Sequence, residues 1–504
     1  MTAYDRVRRT VGEINDLLCT LNLATWDARV QMPARGGAAR GRQLATLAGV
    51  ARERATSNEL ASAVDEALPL AENEDERAEL QRVREAVATL RRLPDGLVDA
   101  IAGHRATAQD AWEAAKAAND FAVFVPALRE TLRLQRAFAD ALGWEEHPYD
   151  ALVAHYEPGM TTARVRDLLT RLREGLLPLL DAIVAKGVPE PEFRRKEVGV
   201  EAQRVAALHF ARIVGYDLDR GRLDASAHPF EISFTRDDVR ITTRYRTDYF
   251  PMSLFGTLHE AGHALYEQGV DPRWVRTAFT TDIVGLYAVA GTSYGAHESQ
   301  SRLIENQLGR SAPFWDAHYA ELLATHGDAL DGVDVNAFVR GINHVAPSPT
   351  RVEADELTYD LHIMLRVEIE AALLDGTLAA EDVPKAWAEK TEELLGLEVT
   401  DDRSGALQDI HWSAGLVGAF PTYTFGNVMS AQWMAAARER DPAVAPALER
   451  GDSGPLRAWL HENVHRHGRR YLPEELLTRA TGSGLDPEPY LAYLREKYTR
   501  LYAL

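Results

Sequence analysis

The sequence predicts a mainly α-helical protein with one small β-sheet. Apolar residues recur at helical spacing along most of the 504-residue chain. Strand-like alternation is confined to one stretch, between Phe230 and Tyr245. No linker, tandem repeat or low-complexity tract divides the two ends, so one large unit with two lobes around a cleft is expected. Its N-terminal helical lobe is placed at roughly 1–200 and its active-site portion at roughly 201–504.

The first apolar stripe is Val7, Val11, Ile14, Leu18 and Leu21. Cys19 lies in it and is expected to be a small core residue. From Asp95 to Asn119 the chain is rich in alanine with spaced larger apolar residues, a further helix. Asp120 and Gly143 bracket the next, an acidic start and a glycine stop. Thr161 or Thr162 caps a long helix running to Gly187, with Pro178 as a kink. Residues 188–192, with Pro189 and Pro191, read as a loop. Phe230–Phe234 and Val239–Tyr245 alternate around a polar turn and predict a hairpin. Helices resume after Pro251 and continue to the end.

The chain carries 76 acidic against 56 basic residues, a formal net charge of -20. That balance argues against nucleic acid and anionic membranes as partners. The single cysteine rules out an intramolecular disulfide and suits a reducing compartment. The start lacks the basic-then-apolar order of a signal peptide, and no stretch reaches the length of a membrane span. A soluble, cytoplasmic protein is expected.

The pentad His259-Glu260-Ala261-Gly262-His263 carries the chemistry. On a helix, two histidines four apart share a face and can reach one ion. Glu260 beside them can take a proton from a water on that ion. A zinc site usually takes a third protein ligand, and Glu298 on the next expected helix is the best choice. The plain alternative for Glu298 is a solvated residue paired with Arg302 four positions on. Glu267 is expected to orient a ligand or meet solvent, and His297 to point elsewhere on its helix. A second pentad, His461 to His465, continues toward Tyr471 where a third metal-binding histidine would be needed. It lacks support and reads as packing or surface.

Ordered blocks extend the pattern. They are Trp26-Asp27 with Met32-Pro33; His228-Pro229-Phe230; Asp238 to Thr242; the first pentad; His297-Glu298 with Gln300; Arg351 to Asp355; Gly405 to Trp412; Phe420 to Thr424; and Tyr493 to Tyr498. The set in this order resembles the carboxypeptidase Taq family of metallocarboxypeptidases over essentially the whole chain. The resemblance implies a mostly helical fold with a deep groove and a small sheet beside the active site. It also implies a homodimer that removes residues from peptide C-termini using one Zn2+ per chain, or Co2+. The implied ligands are His259, His263 and Glu298, with Glu260 as general base. Two positions depart from the family. Glu298 follows His263 by 35 residues, a longer interval than is typical, with the excess expected between Val270 and Ala290 at the groove's rim. Thr350 stands before Arg351 where the family prefers Ile or Val, a packing change.

Two further roles need residues. An oxyanion needs a donor, for which Tyr423 is the first choice and His228 and His411 the next. A C-terminal carboxylate needs a guanidinium, for which Arg351 is preferred and Arg240 second. Asp355 and Asp409 are expected either to hold the ligand imidazoles or to hold those arginines. The competing functions are a zinc oligopeptidase cutting internally in short peptides and a non-catalytic peptide-binding protein.

Overall fold

The computed structural model describes residues 1–504. The first apolar stripe is helix α1 (Ala3–Val30), whose start is a capping box between Thr2 and Asp5. The alanine-rich stretch is α2 (Leu97–Ala118). After Asp120 comes a short 3-10 turn and then α3 (Val125–Leu142), stopped by Gly143 at φ 89°. Thr161 caps α4 (Thr162–Val184), which ends three residues before Gly187 and keeps Pro178 inside it. Each expected helix is therefore present, with small shifts at its ends.

The hairpin is β2 (Glu231–Thr235) against β3 (Asp238–Thr243), antiparallel with an irregularity at Ser233/Thr235. A third strand, β1 (Gly221–Ala225), pairs in parallel with β3. Sequence reading missed it, because Gly-Arg-Leu-Asp-Ala has neither alternation nor β-branching. Helix α5 (Pro251–Gly269) follows and is buried on nearly every face, as a core helix must be. Strands β4 (Thr281–Asp282) and β5 (Tyr287–Ala288) form a two-residue ladder. Helix α6 (Tyr294–Arg302) then continues into a π-helical turn, Leu303–Leu308. Later come α7 (Tyr359–Asp375), α8 (Pro421–Arg440) and α9 (Gly454–Asn463). No helix is long and apolar enough to cross a membrane.

The chain forms two compact units, each assembled from three stretches. One comprises Met1–Arg91, Pro191–Ile342 and Met429–Gly484; the other comprises Arg92–Glu190, Asn343–Val428 and Leu485–Leu504. In the first unit α1 packs on the sheet through Trp26, Ile232 and Phe234, with Cys19 half-buried beside them. The buried amide of Asn22 donates to the carbonyls of Ser233 and Ala288, 2.9 and 3.1 Å away. The 270–290 segment contributes to the interior of this unit. Its residues Phe279, Ala278, Ile283 and Ala288 are buried, and Val270, Trp274, Phe279 and Ala290 form a local core.

C-terminal residues of this unit buttress α5 and α6. His465 packs on Gly269, where a Cβ would lie 2.6 Å from the His465 Cβ, and its Nε2 sits 2.8 Å from Gln300 Oε1. Trp433 donates to Ser299 Oγ at 3.0 Å, and Arg469 to the Gly291 carbonyl at 2.7 Å. The second pentad thus serves packing. Helix α9 ends at Asn463, so His461 and His465 do not share a helix face.

In the second unit, Glu370 of α7 is a buried hub. It accepts from Tyr149 Oη at 2.7 Å, Trp412 Nε1 at 3.0 Å and the Gly418 amide at 3.0 Å. Its burial, with Asp409 nearby, outweighs those donors and pushes its pKa up to about 7.

Candidate metal and catalytic site

Helix α5 presents His259 and His263 one turn apart, and α6 presents Glu298 toward them. His259 Nε2 and His263 Nε2 lie 3.7 and 3.4 Å from Glu298 Oε2. One donor atom from each of the three lies within 4.8 Å of the others, a spacing that can hold a metal ion.

The remaining donors of these side chains are taken. Glu298 Oε1 accepts from Arg302 Nε at 2.7 Å. Glu298 is thus paired with Arg302 but is buried rather than solvated, and its other oxygen faces the two imidazoles. His259 Nδ1 lies 3.0 Å from Glu305 Oε2, and Glu305 Oε1 accepts from Arg310 at 3.1 Å. His263 Nδ1 lies 2.6 Å from His297 Nδ1. Two imidazole nitrogens and one carboxylate oxygen are left converging, a donor set that suits zinc.

Burial alone would lift the pKa of Glu298, but Arg302 and the two imidazoles hold it far below the carboxylate range. Glu305 is likewise lowered to about 2 against its burial, by His259 and Arg310. Burial lowers His263 to about 4, so it is neutral and able to ligate at pH 7. His259 is raised, because Glu298 and Glu305 outweigh its desolvation. Glu260 is pushed up to about 7 by burial, with Glu298 and Glu305 adding and His259 opposing. A buried carboxyl near neutrality is matched to both taking and returning a proton.

The close approach of α5 and α6 depends on Gly262, inside the pentad. A Cβ there would lie 2.4 Å from the Gln300 carbonyl oxygen and 2.5 Å from Ser301 Cα. Both are backbone atoms that cannot swing aside. Gly262→Ala is expected to cost about 1–3 kcal/mol despite alanine's better helix propensity. It should also weaken metal binding, since the displaced helix carries Glu298. Urea melts and metal titration of the metal-free variant check both.

The sequence missed several partners here. Glu305 lies seven residues after Glu298, on the same helix face, and that spacing could have revealed it. His297 does not point elsewhere; its ring reaches His263, because α5 and α6 pack face to face. Glu267 does not meet solvent but sits buried beyond His297, 3.0 Å from its Nε2. His228 is exposed, and its carbonyl accepts from Ser226 Oγ at 2.7 Å. Arg240 spends Nε and one NH2 on Asp238, at 2.8 and 2.9 Å, and stacks over Trp26 and Phe234.

The second unit gathers the other predicted residues. Arg351 donates to Asp409 Oδ1 from Nε and NH2, at 3.0 and 2.8 Å, and to Tyr359 Oη at 2.8 Å. Arg366, fully buried, donates to Asp409 Oδ2 at 2.7 Å. Arg366 was not anticipated, since an arginine in a helical stripe carries no signal of its own. Burial works against charging Arg351, but Asp409 raises its pKa well above the usual range; Arg366 is instead lowered to about 10 by its burial. His411 Nε2 is 3.1 Å from Tyr423 Oη, and burial beside Arg351 drops His411 to about 3. Asp409 thus holds the arginines. Asp355 holds neither an arginine nor an imidazole. It accepts from the Ala346, Leu357 and Thr358 amides and Thr358 Oγ1, ordering the approach to α7.

Residues 6–498 match the carboxypeptidase Taq (M32) metallopeptidase family. A thermostable carboxypeptidase 1 of Thermus thermophilus is 40% identical over 498 residues, covering 95% of each chain. Carboxypeptidase 1 of Bacillus subtilis is 36% identical over 485 residues, covering 96% of this chain and 95% of its own. The crystal structure of an M32 carboxypeptidase from Deinococcus radiodurans R1 is similar at TM-score 0.95, with 39% identity and both chains fully covered.

Proposed function

The chain belongs to the carboxypeptidase Taq (M32) metallopeptidase family and is a metallocarboxypeptidase, a peptide hydrolase; on that premise we propose that it releases amino acids of broad identity from peptide C-termini at a zinc ion held by His259, His263 and Glu298. The observation that carries the site is the convergence of three free donor atoms whose neighbours are all engaged. When bound, the metal lowers the pKa of a water and polarises the scissile carbonyl.

Glu260 takes the proton of the attacking water and returns it to the leaving nitrogen. Tyr423 is the proposed donor to the oxyanion. Neutral His411 has its Nε2 3.1 Å from the Tyr423 hydroxyl and can donate to it, fixing the position of the phenol. His411 and His228 are the other choices for that role. Arg351 is the proposed anchor for the C-terminal carboxylate. Two guanidinium groups share the single carboxylate of Asp409, leaving one positive charge that an anion would neutralise. Arg240, with its fork spent on Asp238, is the second choice. Peptides as substrates, a homodimer and a cytoplasmic setting complete the proposal.

The test is a mass-spectrometric time course on one peptide with a free C-terminus and the same peptide amidated. A ladder shortening only from the free C-terminus, lost on chelation and regained with zinc, is expected. The amidated peptide should resist, and Arg351→Ala should raise KM more than it lowers kcat. Internal fragments from both peptides would indicate an oligopeptidase instead, and no cleavage with any metal would indicate a binding protein.

A further inference from the structure

His263 and His259 are tied down differently. His259 meets a carboxylate directly, whereas His263 meets another imidazole. The hydrogen positions along the second chain follow from what lies at its far end. Glu267 Oε1 receives the amides of Ala290 at 2.9 Å and Gly291 at 3.1 Å, and Oε2 lies 3.1 Å from Ser233 Oγ. Main-chain amides can only donate, so Glu267 serves there as an acceptor. His297 Nε2, 3.0 Å from Oε1, must then carry its hydrogen. In a ring that carries one hydrogen, the second His297 nitrogen, Nδ1, is then a lone pair. Only one hydrogen fits between it and His263 Nδ1, so His263 supplies it. His263 Nε2 is left bare and aimed at the metal position.

The His297 ring is held in that orientation from two sides. Tyr266 stacks parallel to it, with centroids 5.7 Å apart and planes at 14°. Gly291 leaves room for its edge, since a Cβ there would lie 2.4 Å from His297 Cδ2.

We propose that His297 is a positioning residue that relays the negative charge of Glu267 to His263, fixing the tautomer in which that ligand can bind metal. The inference rests on the metal site proposed above. The 270–290 segment ends at the amides that hold Glu267, so this segment is part of the relay.

The test is metal binding by the whole protein, freed of metal and titrated with Zn2+ against a chelating dye. Co2+ absorption in the visible range reports the geometry around the ion. His297→Ala and Glu267→Gln should each weaken Zn2+ binding about 10–100-fold. The double variant should be no weaker than His297→Ala alone, because the two act in series. Gly291→Ala, which keeps every donor but displaces the ring, should weaken binding and shift the Co2+ band. Losses that multiply in the double variant, or binding by His297→Ala within threefold of the parent, would overturn the relay. Should His297→Ala fail to fold, the near-isosteric Glu267→Gln decides by the same threshold. Failure of the site itself would show separately, as a parent that binds no zinc or a His263→Ala variant that binds it unchanged.

Discussion

Glu260→Gln is expected to lose about 10²–10⁴-fold in kcat while keeping its metal. Glutamine has nearly the same shape as glutamate. The three metal donors are untouched, so metal content by elemental analysis should match the parent. What disappears is the group proposed to accept a proton from water and hand it to the departing nitrogen. KM should move little, because Glu260 is assigned no part in holding the substrate. A variant with parental kcat would end the assignment of Glu260 as base. A variant that also lost its metal would show a structural effect instead.

Asp409→Asn is expected to be the most destabilising of the substitutions considered, by about 3–5 kcal/mol. One carboxylate now offers an oxygen to each of Arg351 and Arg366. Asparagine has one acceptor oxygen and would turn its NH2 toward the other guanidinium. Arg366 has no exposed surface through which water could compensate. Urea unfolding at pH 7 measures the loss. The acid limb gives a second check. Burial works to raise the pKa of Asp409, but Arg366 and Arg351 overcome it and hold the group far below an ordinary aspartate. A depressed acid contributes stability that is complete above its unfolded pKa of about 3.9 and is lost as pH falls below it. Below about pH 4 the gap between parent and variant should therefore narrow.

The convergence of His259 and His263 was legible in the sequence because helical geometry is local: four residues are one turn, wherever the helix sits. Glu260 came with the same pentad. The supporting residues were harder to see. Glu305 was within reach of the same periodic argument and was passed over. His297 was misread because its direction depends on how closely α5 and α6 approach, and only Gly262 hints at that. Arg366 and Asp409 meet through tertiary packing across 43 residues of sequence, which no short-range pattern encodes. The fold shows the same division. Helices with caps and stripes were found to within a few residues, as with Thr161 and Gly143. Strand β1 was missed because its place is set by the edge of β3 rather than by its own composition.

The buttress formed by Trp433, His465 and Arg469 bears on when the enzyme comes into being. A chain emerging from the ribosome exposes His259, His263 and Glu298 long before Trp433 and His465 exist to brace Ser299, Gln300 and Gly269. Until then α5 and α6 lack the partners that press them together. Residues as far as His465 must therefore have been made before His259, His263 and Glu298 are braced in a fixed geometry.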